Sequence, residues 1–212
     1  HGYDGTNTGR TVVKMVGHPT ISGASNFFNP ASTVGQGVTE NLTLTLTAGV
    51  APNTHSTSLD AIGHEIAHGI DAKYLGLKNL NDFSEGNIIL EGFCDILGIA
   101  VESTKKVNND WQIGNDFYPN EIRYMNNPNN SIFNGVVKPQ PKMYNGTHWM
   151  NQAQAQAQSQ ALGFSGNGPN LYMHHNNGIM NYWFYLLVEG GSGTNDNGLA
   201  YNISPINTNT NN

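Results

Sequence analysis

The stretch 63-GHEIAHGI-70 decides how this chain is read, because it sets two histidines four residues apart with a glutamate beside the first. On a helix, positions i and i+4 project from one face, one turn apart. His64 and His68 can therefore aim two imidazoles at one ion. Zinc accepts nitrogen ligands in a tetrahedral shell, and a catalytic site leaves one position for water. Glu65 is displaced around the helix from the two rings, where it can accept a proton from that water. A five-residue pattern with three fixed positions also arises by chance, and the polar face of an ordinary helix would look the same.

The neighbouring residues supply the helix. Leu59, Ile62, Ile66, Ile70 and Leu75 recur at helical spacing, Asp60 stands in the first turn, where a helix dipole favours an acid, and Gly76 is a stop signal. A second apolar stretch, NIILEGFCDILGIAVE (87–102), predicts a buried helix. Glu91 lies in it among Ile88, Ile89, Leu90 and Phe93, and a carboxylate is costly to bury there unless something pairs with it. Glu91 is thus the best source of a third ligand. Asp95, one turn further on, can accept the other N–H of a ligating histidine. A solvated helix edge is the alternative for both acids, and their apolar neighbours argue against it.

A third helix is expected over NGIMNYWFYLLVEGG (177–191), ended by its glycine pair. Earlier in the chain, VTENLTLTLT (38–47) alternates leucine with threonine as a half-buried strand does, and residues 1–58 read as β-rich and rich in loops. Residues 103–170 read mostly as loop. QAQAQAQSQA (152–161) reads as a solvated insertion loop or frayed helix, and SPINTNTNN as a disordered tail.

Composition narrows the function class. Lys and Arg together number 9 in 212 residues and do not cluster, the net charge is −6, and no apolar run approaches a membrane span, so neither nucleic acid nor membrane is an expected partner. The single cysteine, Cys94, lies in an apolar run and reads as a buried spectator thiol. His1 opens directly into HGYDGTNTGR without a signal peptide, which suits a mature or cut-down form. Polar residues dominated by Asn, Thr, Ser and Gly suit a secreted bacterial protein.

HEIAH followed by ILEGFCDILG resembles the thermolysin-like neutral zinc metallopeptidases, whose second motif is a glutamate ligand followed by an aspartate. NNDWQIGNDF (108–117), EIRYM (121–125) and MHHNNGIMN (173–181) are similar to further motifs of that family, in the same order. SNFFNP (25–30) resembles, more loosely, the strand that lines its substrate cleft. The resemblance implies zinc held by His64, His68 and Glu91, with Glu65 as general base and proton shuttle. It makes His174, and not His175, the stabiliser of the tetrahedral intermediate, by the register of Gly178. Arg123 would hydrogen-bond the substrate carbonyl and brace Glu91. Asn26 would touch substrate, while Ile113, Phe117 and Ile122 would line an apolar pocket on the leaving side. Asp60, Glu102, Asp110 and Asp116 match a calcium locus, although Gln112 and Asn115 replace acids, so one weaker site is expected rather than a tight pair.

Three further positions depart from the family pattern. Pro169 stands where an aspartate orients the catalytic histidine, and Asn167 or Asn170 could substitute. Phe83 stands nearest to a tyrosine that donates to the oxyanion, and Leu90 replaces a common asparagine. The expected architecture is α+β and zincin-like: one metallopeptidase domain over 1–212, with a β-rich part (1–58), zinc-site helices and cleft loops (59–191), and a loop or tail (192–212). It reads as a fragment or reduced form of a longer protease. The expected function is a secreted zinc endopeptidase acting on protein or peptide, with a propeptide in its precursor. The rivals are a zinc-binding homologue weakened in catalysis that serves as a binding module, and a plain structural domain.

Overall fold

The computed structural model of the chain describes residues 14–18, 43–47, 58–74, 82–106, 109–116, 120–163 and 166–206. Two short strands, β1 (Lys14–His18) and β2 (Thr43–Thr47), pair in parallel from Lys14↔Thr43 to His18↔Thr47. β2 is the TLTLT core of the alternating stretch read as a strand. The rest of that N-terminal part, Asn26 included, lies outside the described residues.

The zinc-motif segment forms helix α1 (Leu59–Tyr74), and the second apolar stretch forms α2 (Glu85–Ser103). α2 starts before the periodic residues because the Ser84 side chain accepts a hydrogen bond from the Gly86 N–H at 3.1 Å. Apolar residues of α2 reach two core clusters. Ile88 packs with Met150, Ala155, Tyr172 and Met173, while Ile96 and Ile99 pack with Trp111, Ile113 and Met125. Ile88 and Ile99 are each 1 % exposed, and burying such a side chain stabilises by about 1.5–3 kcal/mol.

β3 (Gln112–Ile113) pairs antiparallel with β4 (Arg123–Tyr124), and β5 (Ile132–Phe133) with β6 (Val136–Val137). Asn134 and Gly135 turn the second pair at φ 52° and 72°, the left-handed values that a tight hairpin needs. The Gln/Ala run is neither loop nor frayed: it forms α3 (Gln152–Ala161), started by a capping box between Asn151 and Gln154, with Ala155 and Ser159 buried. α4 (Gly168–Asn176) and α5 (Gly178–Glu189) follow, and α5 stops at Gly190, which adopts φ 72°. Beyond it, β7 (Gly191–Thr194) pairs antiparallel with β8 (Ala200–Ile203), so this part of the expected tail is a hairpin. Among the described residues no helix is long and apolar enough to cross a membrane.

α1 and α2 cross where two glycines meet. A Cβ on Gly63 would lie 3.0 Å from Gly98 Cα, and one on Gly98 would run into the Asp60 carbonyl oxygen. This close approach sets His64, the residue after Gly63, against the acids of α2. Gly98→Ala is expected to destabilise the chain by about 1–3 kcal/mol through overpacking and to lower its zinc content. Denaturant unfolding of metal-free protein and metal analysis of zinc-loaded protein check the two effects.

Candidate metal centre

α1 contributes His64 and His68, α2 contributes Glu91, and α4 contributes His174. His64 Nε2 lies 3.1 Å from His68 Nε2 and 3.3 Å from Glu91 Oε2, while His68 Nε2 lies 3.5 Å from Glu91 Oε1. Four bonds of about 2.0–2.1 Å in a tetrahedron place neighbouring donors roughly 3.3–3.4 Å apart, so the donors stand at the edges of such a shell. Glu91 is 1 % exposed, and its Oε2 has no hydrogen-bond partner although the rings of His64 and His174 face it. A buried carboxylate faced by three imidazole nitrogens at this spacing fits a cation. These three residues could hold zinc.

Asp95 organises the cluster from behind. It is fully buried and accepts five hydrogen bonds: from His64 Nδ1, Arg123 Nε, Arg123 Nη2, Asn177 Nδ2 and Asn181 Nδ2, at 2.5–2.9 Å. Burial would raise its pKa, but the Arg123 guanidinium and His64 hold it well below the usual carboxylate range. The His64 bond fixes that ring with Nε2 toward the cluster. Arg123 braces Asp95, where the family pattern led to Glu91. Asn177 and Asn181 lie inside the quoted MHHNNGIMN motif, yet nothing in their spacing from Asp95 announced the contact.

Cys94 is more than a spectator. Its Sγ lies 3.3 Å from His68 Nδ1, at the back of the ring whose Nε2 faces the cluster. His64, His68 and Cys94 thus form a second compact group of potential metal donors, with ligand atoms within 4.8 Å of one another. His68 must turn Nδ1 rather than Nε2 to an ion shared with sulfur, so the two arrangements exclude each other. The Nε2 arrangement is the better supported, because it also satisfies buried Glu91. Leu90, where the family has asparagine, is 3 % exposed, and the thiol one turn later meets the ring instead.

His174 Nε2 lies 3.1 Å from Glu91 Oε2, and its Nδ1 donates to the Asn170 carbonyl at 2.8 Å. The helix backbone thereby orients the ring that Pro169 cannot. His175 faces elsewhere: its Nε2 donates to the His148 carbonyl, and it lines a cavity of about 500 Å³ with Trp149, Met150 and Gln158. Ile113 is 4 % and Ile122 7 % exposed, so both are buried apolar side chains. Phe117 lies outside the described residues. Phe83 packs edge-on against Tyr172 in the first core cluster.

The charges follow from these contacts. Burial lowers the His64 pKa, but Asp95 and Glu91 outweigh it and push it up to about 10. His68 falls to about 4, first through burial. Glu91 is held well below its normal value against burial, mainly by the charge of His174, and His174 is raised in turn by Glu91. Burial raises Glu65 to about 7. Without metal, a proton on His64 Nε2 can bridge to the lone pair of His68 Nε2 and stand in the place of the ion.

The acids of the expected calcium locus are found around a lysine. Lys106 Nζ lies 2.9 Å from Glu102 Oε1, 3.1 Å from Asp110 Oδ2 and 2.8 Å from Asp116 Oδ2. Asp60 Oδ2 accepts the Gly114 N–H at 2.6 Å.

Residues 79–209 match the family described as thermolysin metallopeptidase, alpha-helical domain. The match includes Glu91, Asp95, Arg123 and His174, and the α1 histidines join it through geometry. The chain is 28 % identical over 149 residues to bacillolysin of Bacillus cereus, covering 68 % of this chain and 22 % of that protein. It is 29 % identical over 141 residues to thermolysin of Alicyclobacillus acidocaldarius subsp. acidocaldarius, covering 64 % and 21 %. Bacillolysin of Brevibacillus brevis is 27 % identical over 152 residues, covering 68 % and 23 %. The chain thus spans about a fifth of the length of these relatives. No solved structure matches it.

Because His64 carries a proton up to about pH 10 in the metal-free protein, zinc must displace it. Zinc uptake at pH 7 is expected to release about one proton per chain, and apparent affinity to fall about tenfold per pH unit on acidification. Calorimetry in buffers of different ionisation enthalpy measures the release. Uptake without proton release would contradict this assignment.

Proposed function

The chain belongs to the thermolysin metallopeptidase family, and on that premise we propose that it is a zinc-dependent endopeptidase that hydrolyses peptide bonds in protein or peptide substrates. The carrying observation is the convergence of His64 Nε2, His68 Nε2 and the buried Glu91 carboxylate, 3.1–3.5 Å apart, the separations that donors around one tetrahedral ion have. Zinc bound there would supply a charge that polarises the scissile carbonyl and acidifies water.

The residues of the chain do the rest. Glu65, raised to about 7 by burial, is a base matched to neutral pH: it accepts the proton of the attacking water and returns it to the leaving amine. The cationic form of His174 is favoured by Glu91, and Nδ1 is anchored on the Asn170 carbonyl, so Nε2–H is the donor available to a developing oxyanion. His174 is also the most open member of the cluster, at 33 % side-chain exposure against 7 % for His64, which puts the substrate's approach on its side. Arg123, its fork committed to Asp95, acts by holding that carboxylate.

An apolar preference on the leaving side goes with this reading, carried by the family pattern at Ile113, Phe117 and Ile122. A composition dominated by Asn, Thr, Ser and Gly among its polar residues supports secretion. The binding-module alternative rested on Pro169 and the missing tyrosine. The Asn170 carbonyl answers the first, and a group used only to bind zinc has no need of Glu65.

Glu65→Gln is expected to keep full zinc while cleavage of an unfolded protein falls by a factor of at least about a thousand. Chelation is expected to abolish cleavage in the parent and zinc to restore it. Stoichiometric zinc with no cleavage of a broad peptide library by the parent protein would hand the site to the binding module.

A further inference from the structure

The second cluster of acids asks for a cation of its own. Glu102 is 1 % exposed, and a carboxylate that deep requires a partner. The partner is one helical turn on. Lys106 Nζ lies within 3.1 Å of Glu102, Asp110 and Asp116, so the three N–H bonds of the ammonium have three carboxylates in reach. Lys106 donates a hydrogen bond to Asp110 Oδ2 at 3.1 Å and is ion-paired with Glu102 and Asp116 at 2.8–2.9 Å, whereas calcium draws its oxygens in to about 2.3–2.6 Å.

We propose that Lys106 is the resident cation of this locus, an ammonium standing where the acidic pattern implies a divalent ion. The calcium expected from Asp60, Glu102, Asp110 and Asp116 therefore does not fit at that point, because the amino group already fills the convergence of three of the four acids.

The flanking sequence agrees in charge. Gln112 and Asn115 stand where acids would add two negative charges, and a singly charged partner needs fewer of them. Asn115 also does what a carboxylate cannot, since its Nδ2 donates to Asp110 Oδ2 at 2.9 Å and holds that acid toward the lysine. Burial would lower the Lys106 pKa, but Asp116, Glu102 and Asp110 outweigh it and hold the group charged. Asp60 Oδ1, both oxygens of Glu102 and Asn115 Oδ1 are buried without a hydrogen-bond partner, so Lys106 pairs with Glu102 by charge and does not satisfy every oxygen nearby. For that reason the test reads a difference between proteins rather than an absolute count.

The experiment compares the 212-residue chain with Lys106→Ala and Lys106→Arg, in calcium-stripped buffer at fixed zinc, by equilibrium dialysis and thermal unfolding with and without millimolar calcium. Lys106→Ala is expected to bind one more calcium per chain than the parent. Its midpoint should rise on adding calcium by about 5 °C more than the parent's. Lys106→Arg, which keeps the charge, should match the parent in both. Equal calcium counts in parent and Lys106→Ala, or a Lys106→Ala chain that fails to fold even in calcium, would overturn the proposal. The readout is calcium and not cleavage, so its failure leaves the zinc reading untouched.

Discussion

The site depends on the Asp95 carboxylate. It is fully buried and is held ionised by donors from three different parts of the chain: His64 on α1, Arg123 on β4, and Asn177 and Asn181 at the cap and first turn of α5. A buried charge is tolerated only when its lone pairs are met, and removing one partner of such a network costs roughly 3–5 kcal/mol. That penalty fixes each donor in place. His64 cannot rotate without stranding Asp95, and α5 cannot shift without losing two amide donors. The direction of one zinc-motif imidazole is therefore set by residues more than 80 positions further along the chain.

α2 carries this logic along its length. Glu91, Asp95, Gly98 and Glu102 share one helical stripe, and the stripe is acidic except where α1 crosses at Gly98. Each acidic level has a matching positive group: an imidazole cluster suited to a metal at Glu91, the guanidinium and His64 at Asp95, and an ammonium at Glu102. The apolar residues of the same helix, Ile88, Ile96 and Ile99, reach the two core clusters, so the helix that positions the charges is also the one the hydrophobic residues pack around.

Much of this was visible in the sequence because it is local. Helical periodicity from Leu59 located α1, and it put His64 and His68 on one face. The cost of burying Glu91 and Asp95 among isoleucines and leucines marked both as partnered before any partner was known. What stayed hidden depends on how elements cross. The contact of Cys94 with His68 follows from the glycine crossing of α1 and α2, and the donors Asn177 and Asn181 follow from how α5 lies on α2. Lys106 stayed hidden for another reason: its i+4 spacing pairs it with Glu102 locally, but Asp110 and Asp116 reach it only through the turn after α2. α3 was left open between loop and frayed helix despite a local signal, since Asn151 and Gln154 spell a capping box ahead of the Gln/Ala run. The 191–203 hairpin, with its glycines and exposed face, gave no periodicity to read.

The central claim is that zinc is held by two imidazoles and a carboxylate, with the sulfur of Cys94 behind the His68 ring and not on the ion. X-ray absorption at the zinc edge of the metal-loaded protein tests this most directly. The account predicts only nitrogen and oxygen neighbours at about 2.0–2.1 Å, two of them imidazole. A zinc–sulfur distance of about 2.3 Å would contradict it and assign the metal to His64, His68 and Cys94 instead.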